Sequence, residues 1–109
     1  MELALTGREI SAEKAMLWGL VNAVVEEEKE GGVVGEAIRW ANEIVENSPD
    51  SVLVSKKGVD LGWEGGGVEE ATDELVNGLW KGMESGENLK EGVKAFVEKR
   101  KPRWRDSKL

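Results

Sequence analysis

One β-branched run, Leu20-Val21-Asn22-Ala23-Val24-Val25, is the single stretch of this chain that reads as a strand, and all that follows it reads as helix. A lone strand cannot form a sheet, because half of its backbone groups would have no ladder partner. A chain with this order therefore resembles the closing part of a larger α/β domain: a short helix, one strand, then about four helices. At 109 residues it is one domain at most, or part of one.

The helices are marked by caps and by spacing. Ser11 is a good N-cap for a short helix through Trp18, and Gly19 suits the position just past its end. The segment before it, residues 1–5, is apolar but too short to classify, and Thr6-Gly7-Arg8-Glu9 reads as a turn. Residues 26–32 read as a solvated loop. Residues 33–47 read as a helix in which Val34, Ala37, Ile38, Ala41, Ile44 and Val45 form one apolar stripe. Ser48-Pro49 starts the next helix, with Ser48 as N-cap and Pro49 at the first helical position, running to about Leu61. Residues 62–67 break it. Residues 69–83 form the following helix, Ser85-Gly86-Glu87-Asn88 a turn, and residues 89–100 the last helix, stopped by Pro102.

Composition removes several kinds of chemistry. With no Cys there is neither a disulfide framework nor a thiolate metal site, and with no His the commonest general base and metal ligand is missing. No apolar run approaches the length of a membrane span. Glu69, Glu70, Asp73 and Glu74 recur at helical spacing, but a catalytic carboxylate pair needs burial and opposed environments, and these face away from the apolar side. Gly65-Gly66-Gly67 lacks the preceding strand and the following Lys-Ser/Thr of a phosphate-cradling loop, so it reads as a linker.

The charge is uneven. Residues 94–109 carry seven Lys and Arg against Glu98 and Asp106, a net of +5, which leaves the rest of the chain at −12. The acidic body argues against general nucleic-acid binding. The basic tail suits a phosphate, an acidic neighbour or an import receptor, and equally a solvated helix end. It finishes in Ser107-Lys108-Leu109, which at a free C-terminus is the receptor-read address for the peroxisomal matrix.

Three blocks then carry a resemblance. They are Glu2-Leu3-Ala4-Leu5-Thr6-Gly7-Arg8-Glu9-Ile10-Ser11-Ala12-Glu13-Lys14-Ala15 with Trp18-Gly19-Leu20-Val21-Asn22-Ala23-Val24-Val25, then Ser48-Pro49, then Glu91-Gly92-Val93-Lys94-Ala95-Phe96-Val97-Glu98-Lys99-Arg100-Lys101-Pro102. In this order and spacing they resemble the C-terminal third of the enoyl-CoA hydratase/isomerase (crotonase) superfamily. The resemblance implies an α/β fold, the ββα superhelix, represented here mainly by its helical C-terminal region. Residues 1–30 would end the core, 31–104 would form the helical trimerisation region, and 105–109 the targeting tail.

The resemblance also implies an acyl-CoA thioester as ligand and assembly into homo- or hetero-trimers or paired trimers. No separate cofactor is implied, since the CoA group belongs to the substrate. The family's oxyanion hole and catalytic carboxylates have no matching position here, so no catalytic residue is assigned and the isolated chain is expected to be inactive. By alignment, Phe96 and Lys99 match an adenine-stacking aromatic and a CoA-contacting Lys, and Trp80 matches a second aromatic of that pocket. An aromatic face stacks on a base, and a Lys reaches a phosphate as a point charge. Phe96 also lies on the Leu89–Val93 stripe, Trp80 sits beside Val76 and Met83, and Lys99 also fits a plain surface cation. The family and the address together point to fatty-acid β-oxidation, with a peroxisomal step of secondary metabolism as the alternative. A second expectation is a non-catalytic interaction protein that joins full-length relatives.

Overall fold

Ser11 does what its position predicts. Its Oγ accepts the Lys14 backbone N–H at 3.3 Å and opens a helix over Ala12–Leu17. The same helix ends on Gly19 at φ +72°, where the Gly19 N–H bonds the Met16 carbonyl and the Leu20 N–H bonds the Ala15 carbonyl. That paired closure satisfies two otherwise free helix-end carbonyls, and it needs a left-handed residue at its centre, which glycine supplies without steric cost. A computed structural model describes residues 2–26, 31–64 and 66–109. Glu27 to Glu30 of the first expected loop and Gly65 of the second lie outside the described residues.

The chain divides into two compact units, Met1–Trp40 and Ala41–Leu109. In the first, α1 (Glu2–Thr6) is helical where the sequence was too short to classify. α2 is Ala12–Leu17. The expected strand at 20–25 is not formed, and no strand occurs among the described residues. Leu20, Val21 and Val24 are exposed coil. A β-branched run gains its strand geometry from a neighbouring ladder, and without one its backbone groups bond to water. α3 (Gly32–Val45) follows with the anticipated stripe, yet Val34, Ile38, Ile44 and Val45 are all exposed.

The second unit holds α4 (Pro49–Trp63), α5 (Val68–Leu75), a π-helical turn (Val76–Trp80), α6 (Lys81–Ser85) and α7 (Glu87–Val97). Pro49 fits the first turn of α4, where its missing N–H is not needed. The Ser48 hydroxyl makes no capping bond, so Pro49 and the extended backbone of Ser48 set this helix start. The helix expected over 69–83 is divided because Gly78 leaves helical geometry, at φ −94° and ψ −113°. The core is small: Val54 and Leu61 of α4, Met83 of α6 and Ala95 of α7, with two buried polar residues, Asp50 and Asn88.

α7 also ends earlier than the expected residue 100. Glu98 caps it, the Lys99 N–H bonds the Phe96 carbonyl at 3.2 Å, and the Arg100 N–H bonds the Ala95 carbonyl at 3.0 Å. This is the closure seen at Gly19, but its left-handed position is filled by Lys99, at φ +51°. Phe96 and Lys99 are therefore not neighbours on one helix face, as a helix to residue 100 would have made them.

Candidate functional site

Beyond Lys99 the chain turns back along α7 as a strap with no regular structure. Its first anchor is Glu91. The carboxylate accepts Arg100 Nη1 at 2.6 Å, Arg100 Nη2 at 3.0 Å and the Arg103 backbone N–H at 2.7 Å. The guanidinium first, and then the Arg103 N–H, lower the Glu91 carboxyl from its ordinary 4.5 to about 2. Arg100 is held still more firmly protonated by the same bonds and by Glu98 Oε2, which accepts its Nε at 2.6 Å.

The second anchor is Asn88, one turn earlier on the same helix. Its side-chain oxygen accepts the Arg105 N–H at 2.9 Å, and its Nδ2 donates to the Arg105 carbonyl at 3.0 Å. The amide thus pairs with one residue of main chain as a neighbouring strand would. Nδ2 also donates to Asp50 Oδ2 at 3.1 Å, which ties the strap to the start of α4. The other Asp50 oxygen is buried without a hydrogen bond. Between these anchors, Trp104 Nε1 donates to the Glu46 carbonyl at 2.9 Å. The indole lies on Gly92, where a Cβ would come within 3.2 Å of the ring.

Against this frame the three candidate ligand-binding residues fall in different settings. Phe96 is 85% exposed, so it is not a core residue. With Leu89, Val93, Met83, Ser51 and Trp104 it lines an open apolar depression of about 320 Å³. Trp80 is on the π turn and about half exposed. Lys99 is exposed on its left-handed turn. Neither Trp80 nor Lys99 lines the depression around Phe96. Chemically the three offer two flat apolar faces suited to stacking and one ammonium suited to an anion.

The terminal tripeptide is folded back. Ser107 Oγ accepts the Leu109 N–H at 3.2 Å, and the Leu109 side chain packs over Gly82. Glu69, Glu70, Asp73 and Glu74 are exposed on α5, and Glu74 pairs with Lys57 at 2.9 Å. No group of three or more Asp or Glu able to hold a metal occurs among the described residues, and no described helix is long and apolar enough to cross a membrane. Sequence reasoning missed Asn88, Glu91 and Asp50. The signal for them was the tail itself, since the six cations after α7 call for carboxylate partners.

Comparisons with known proteins agree on one family. The model of the family described as enoyl-CoA hydratase/isomerase matches residues 1–107. The chain is 52% identical over 108 residues to a mevalonyl-coenzyme A hydratase of Beauveria bassiana, covering 99% of this chain and 38% of that protein. It is 49% identical to a mevalonyl-coenzyme A hydratase of Aspergillus fumigatus, covering 99% and 39%. The crystal structure of an enoyl-CoA hydratase from Mycobacterium tuberculosis superposes with a TM-score of 0.86 at 33% identity, covering 98% of this chain and 40% of that one. The chain thus spans about two fifths of the length of these relatives.

Proposed function

Because the chain belongs to the enoyl-CoA hydratase/isomerase family, we propose that it is the C-terminal part of an acyl-CoA hydratase, and that mevalonyl-CoA is the substrate. One observation carries this reading. Identity stands at 52% and 49% to two mevalonyl-coenzyme A hydratases, against 33% to the Mycobacterium tuberculosis enoyl-CoA hydratase. Of the two settings expected from the sequence, this substrate favours secondary metabolism over fatty-acid β-oxidation.

Adding or removing water next to a thioester needs an oxyanion held by preorganised N–H donors and a carboxylate that moves a proton. These 109 residues are assigned neither task. Their part is to bind. Phe96 and Trp80 present ring faces to the adenine of CoA, and Lys99 presents its ammonium to a phosphate, while the body of a neighbouring subunit in a trimer supplies the other wall. A protein ending at Leu109 carries the peroxisomal address, with the import receptor as its partner and the peroxisomal matrix as its location.

The test is a chimera in which residues 1–109 replace the matching segment of the Beauveria bassiana hydratase. It should dehydrate mevalonyl-CoA at a rate near that of the parent and in preference to 3-hydroxybutyryl-CoA. A folded chimera that loses this preference overturns the substrate, and one with no hydratase activity overturns the functional equivalence.

The open apolar stripe of α3 favours a second reading, an interaction protein that joins full-length relatives. Co-purification of the 109-residue chain with the Beauveria bassiana hydratase, at a fixed subunit ratio, would support it.

A further inference from the structure

We propose that Asn77 is a modification site: its side chain cyclises onto the Gly78 nitrogen, with Lys81 as the activating cation, and opens to aspartate or isoaspartate. Of the five asparagines in the chain, only Asn77 precedes a glycine. Glycine has no Cβ to shield its nitrogen, so the Gly78 nitrogen is the least crowded nucleophile that follows any of them.

The fold leaves this pair open. A regular α-helix slows such a cyclisation, because it fixes the backbone on both sides of the asparagine. Here the regular helix fails at that point. Asn77 lies in the π turn, and Gly78 leaves helical geometry at φ −94° and ψ −113°. Asn77 and Gly78 are both exposed, and a Cβ on Gly78 would meet nothing within 4 Å. The backbone therefore has room to swing the Gly78 nitrogen toward Asn77 Cγ.

The side-chain amide is also held for the reaction. Lys81 Nζ donates to Asn77 Oδ1 at 2.8 Å, and Asn77 Nδ2 donates to Asp73 Oδ1 at 2.8 Å. The ammonium polarises the carbonyl and faces the oxygen on which negative charge develops. The Gly78 nitrogen gives its proton to solvent and bonds to Cγ. The Cγ–Nδ2 bond then breaks, and Nδ2 takes a proton from solvent and leaves as ammonia. Water opens the resulting cyclic imide. Opening at the side-chain carbonyl gives aspartate. Opening at the main-chain carbonyl gives isoaspartate, whose backbone runs through an added methylene. Either product turns a carboxylate toward Asp73 where a donor stood, and isoaspartate lengthens the turn that carries Trp80.

The test keeps the 109-residue chain in native buffer at neutral pH and follows each asparagine by peptide mapping, with an isoaspartyl methyltransferase to count isoaspartate. Asn77 should convert, while Asn47, which donates to the Glu43 carbonyl, and buried Asn88 stay intact. Lys81→Met, at an exposed position, should slow conversion about tenfold, less than the loss of an enclosed oxyanion donor, because water also solvates this oxygen. In urea, where the turn is lost, the parent and Lys81→Met should convert at the same rate. An Asn77 that converts in urea but stays intact in native buffer overturns the site, because the fold then protects it. Equal native rates for the parent and Lys81→Met overturn the activation by Lys81.

Discussion

Both terminal nitrogens of Arg100 bind the Glu91 carboxylate, at 2.6 and 3.0 Å, and the same carboxylate takes the Arg103 N–H at 2.7 Å. The Glu91 carboxyl falls from 4.5 to about 2, chiefly through the Arg100 bonds and then through the Arg103 N–H. The folded value lies below the unfolded one. Its contribution is therefore complete above about pH 4.5 and is lost as the pH falls to about 2. Hydrogen-exchange protection of the Arg103 amide should hold at higher pH and decay across that window. In Glu91→Gln it should be low and flat. A flat profile in the parent chain would sink the assignment.

Asn88→Ala should be the most damaging single change to the strap. It removes both bonds to Arg105 and the one bond to Asp50, whose carboxylate would then be buried with no partner. The loss should be about 3 kcal/mol, read as a fall in the urea midpoint. Asn88→Asp keeps the shape but sets a second carboxylate beside Asp50, and should cost at least as much. Lys90→Ala, at an exposed position of the same helix, is the control. Equal shifts for Asn88→Ala and Lys90→Ala would show that the clamp is not needed.

Lys99 combines a backbone cost with an assigned binding role. Lys99→Gly should stabilise the chain by about 1 kcal/mol, because glycine takes the left-handed position without steric penalty. In the chimera, Lys99→Gly and Lys99→Ala should both weaken binding of CoA thioesters by about 1–2 kcal/mol. Pantetheine thioesters, which lack the adenine nucleotide, should bind almost unchanged. Equal losses for the two ligands would mean that Lys99 acts through stability alone.

The apolar surface predicts association. Phe96 and Val97 on α7 are 85% and 74% exposed, and the stripe of α3 is open along its length. The 109-residue chain should show concentration-dependent mass in sedimentation and should bind an apolar dye. A dilute monomer with sharp, dispersed spectra and no dye binding would contradict this.

The address can be tested by moving the tail onto another protein. A fluorescent protein extended by residues 94–109 is the probe. It should collect in peroxisomes, and deletion of Leu109 should release it to the cytosol. Diffuse fluorescence with the intact tail would remove the address.

Where local chemistry decides, the sequence was a good guide. Ser11 brackets α2 through its hydroxyl and Gly19 through its freedom at positive φ, and Pro49 opens α4. Where a partner decides, it was not. Residues 20–25 have strand composition but no ladder to join, so they remain coil. Lys99 gave no sign of a left-handed turn, because the residue that usually marks one is glycine. The apolar spacing of 69–83 runs on through Gly78 and conceals the break there. Asn88 and Glu91 look like ordinary polar residues of an exposed helix. Their role follows from a strap that returns from 9 to 17 positions further along the chain, which no helical period reveals.

The break at Gly78, at φ −94° and ψ −113°, separates the helical frame of α5 from that of α6. Residues on either side of it that share a face by helical spacing therefore need not share one in the fold. Trp80, next to the start of α6, takes its direction from the helix that carries Met83 and not from the apolar period of α5.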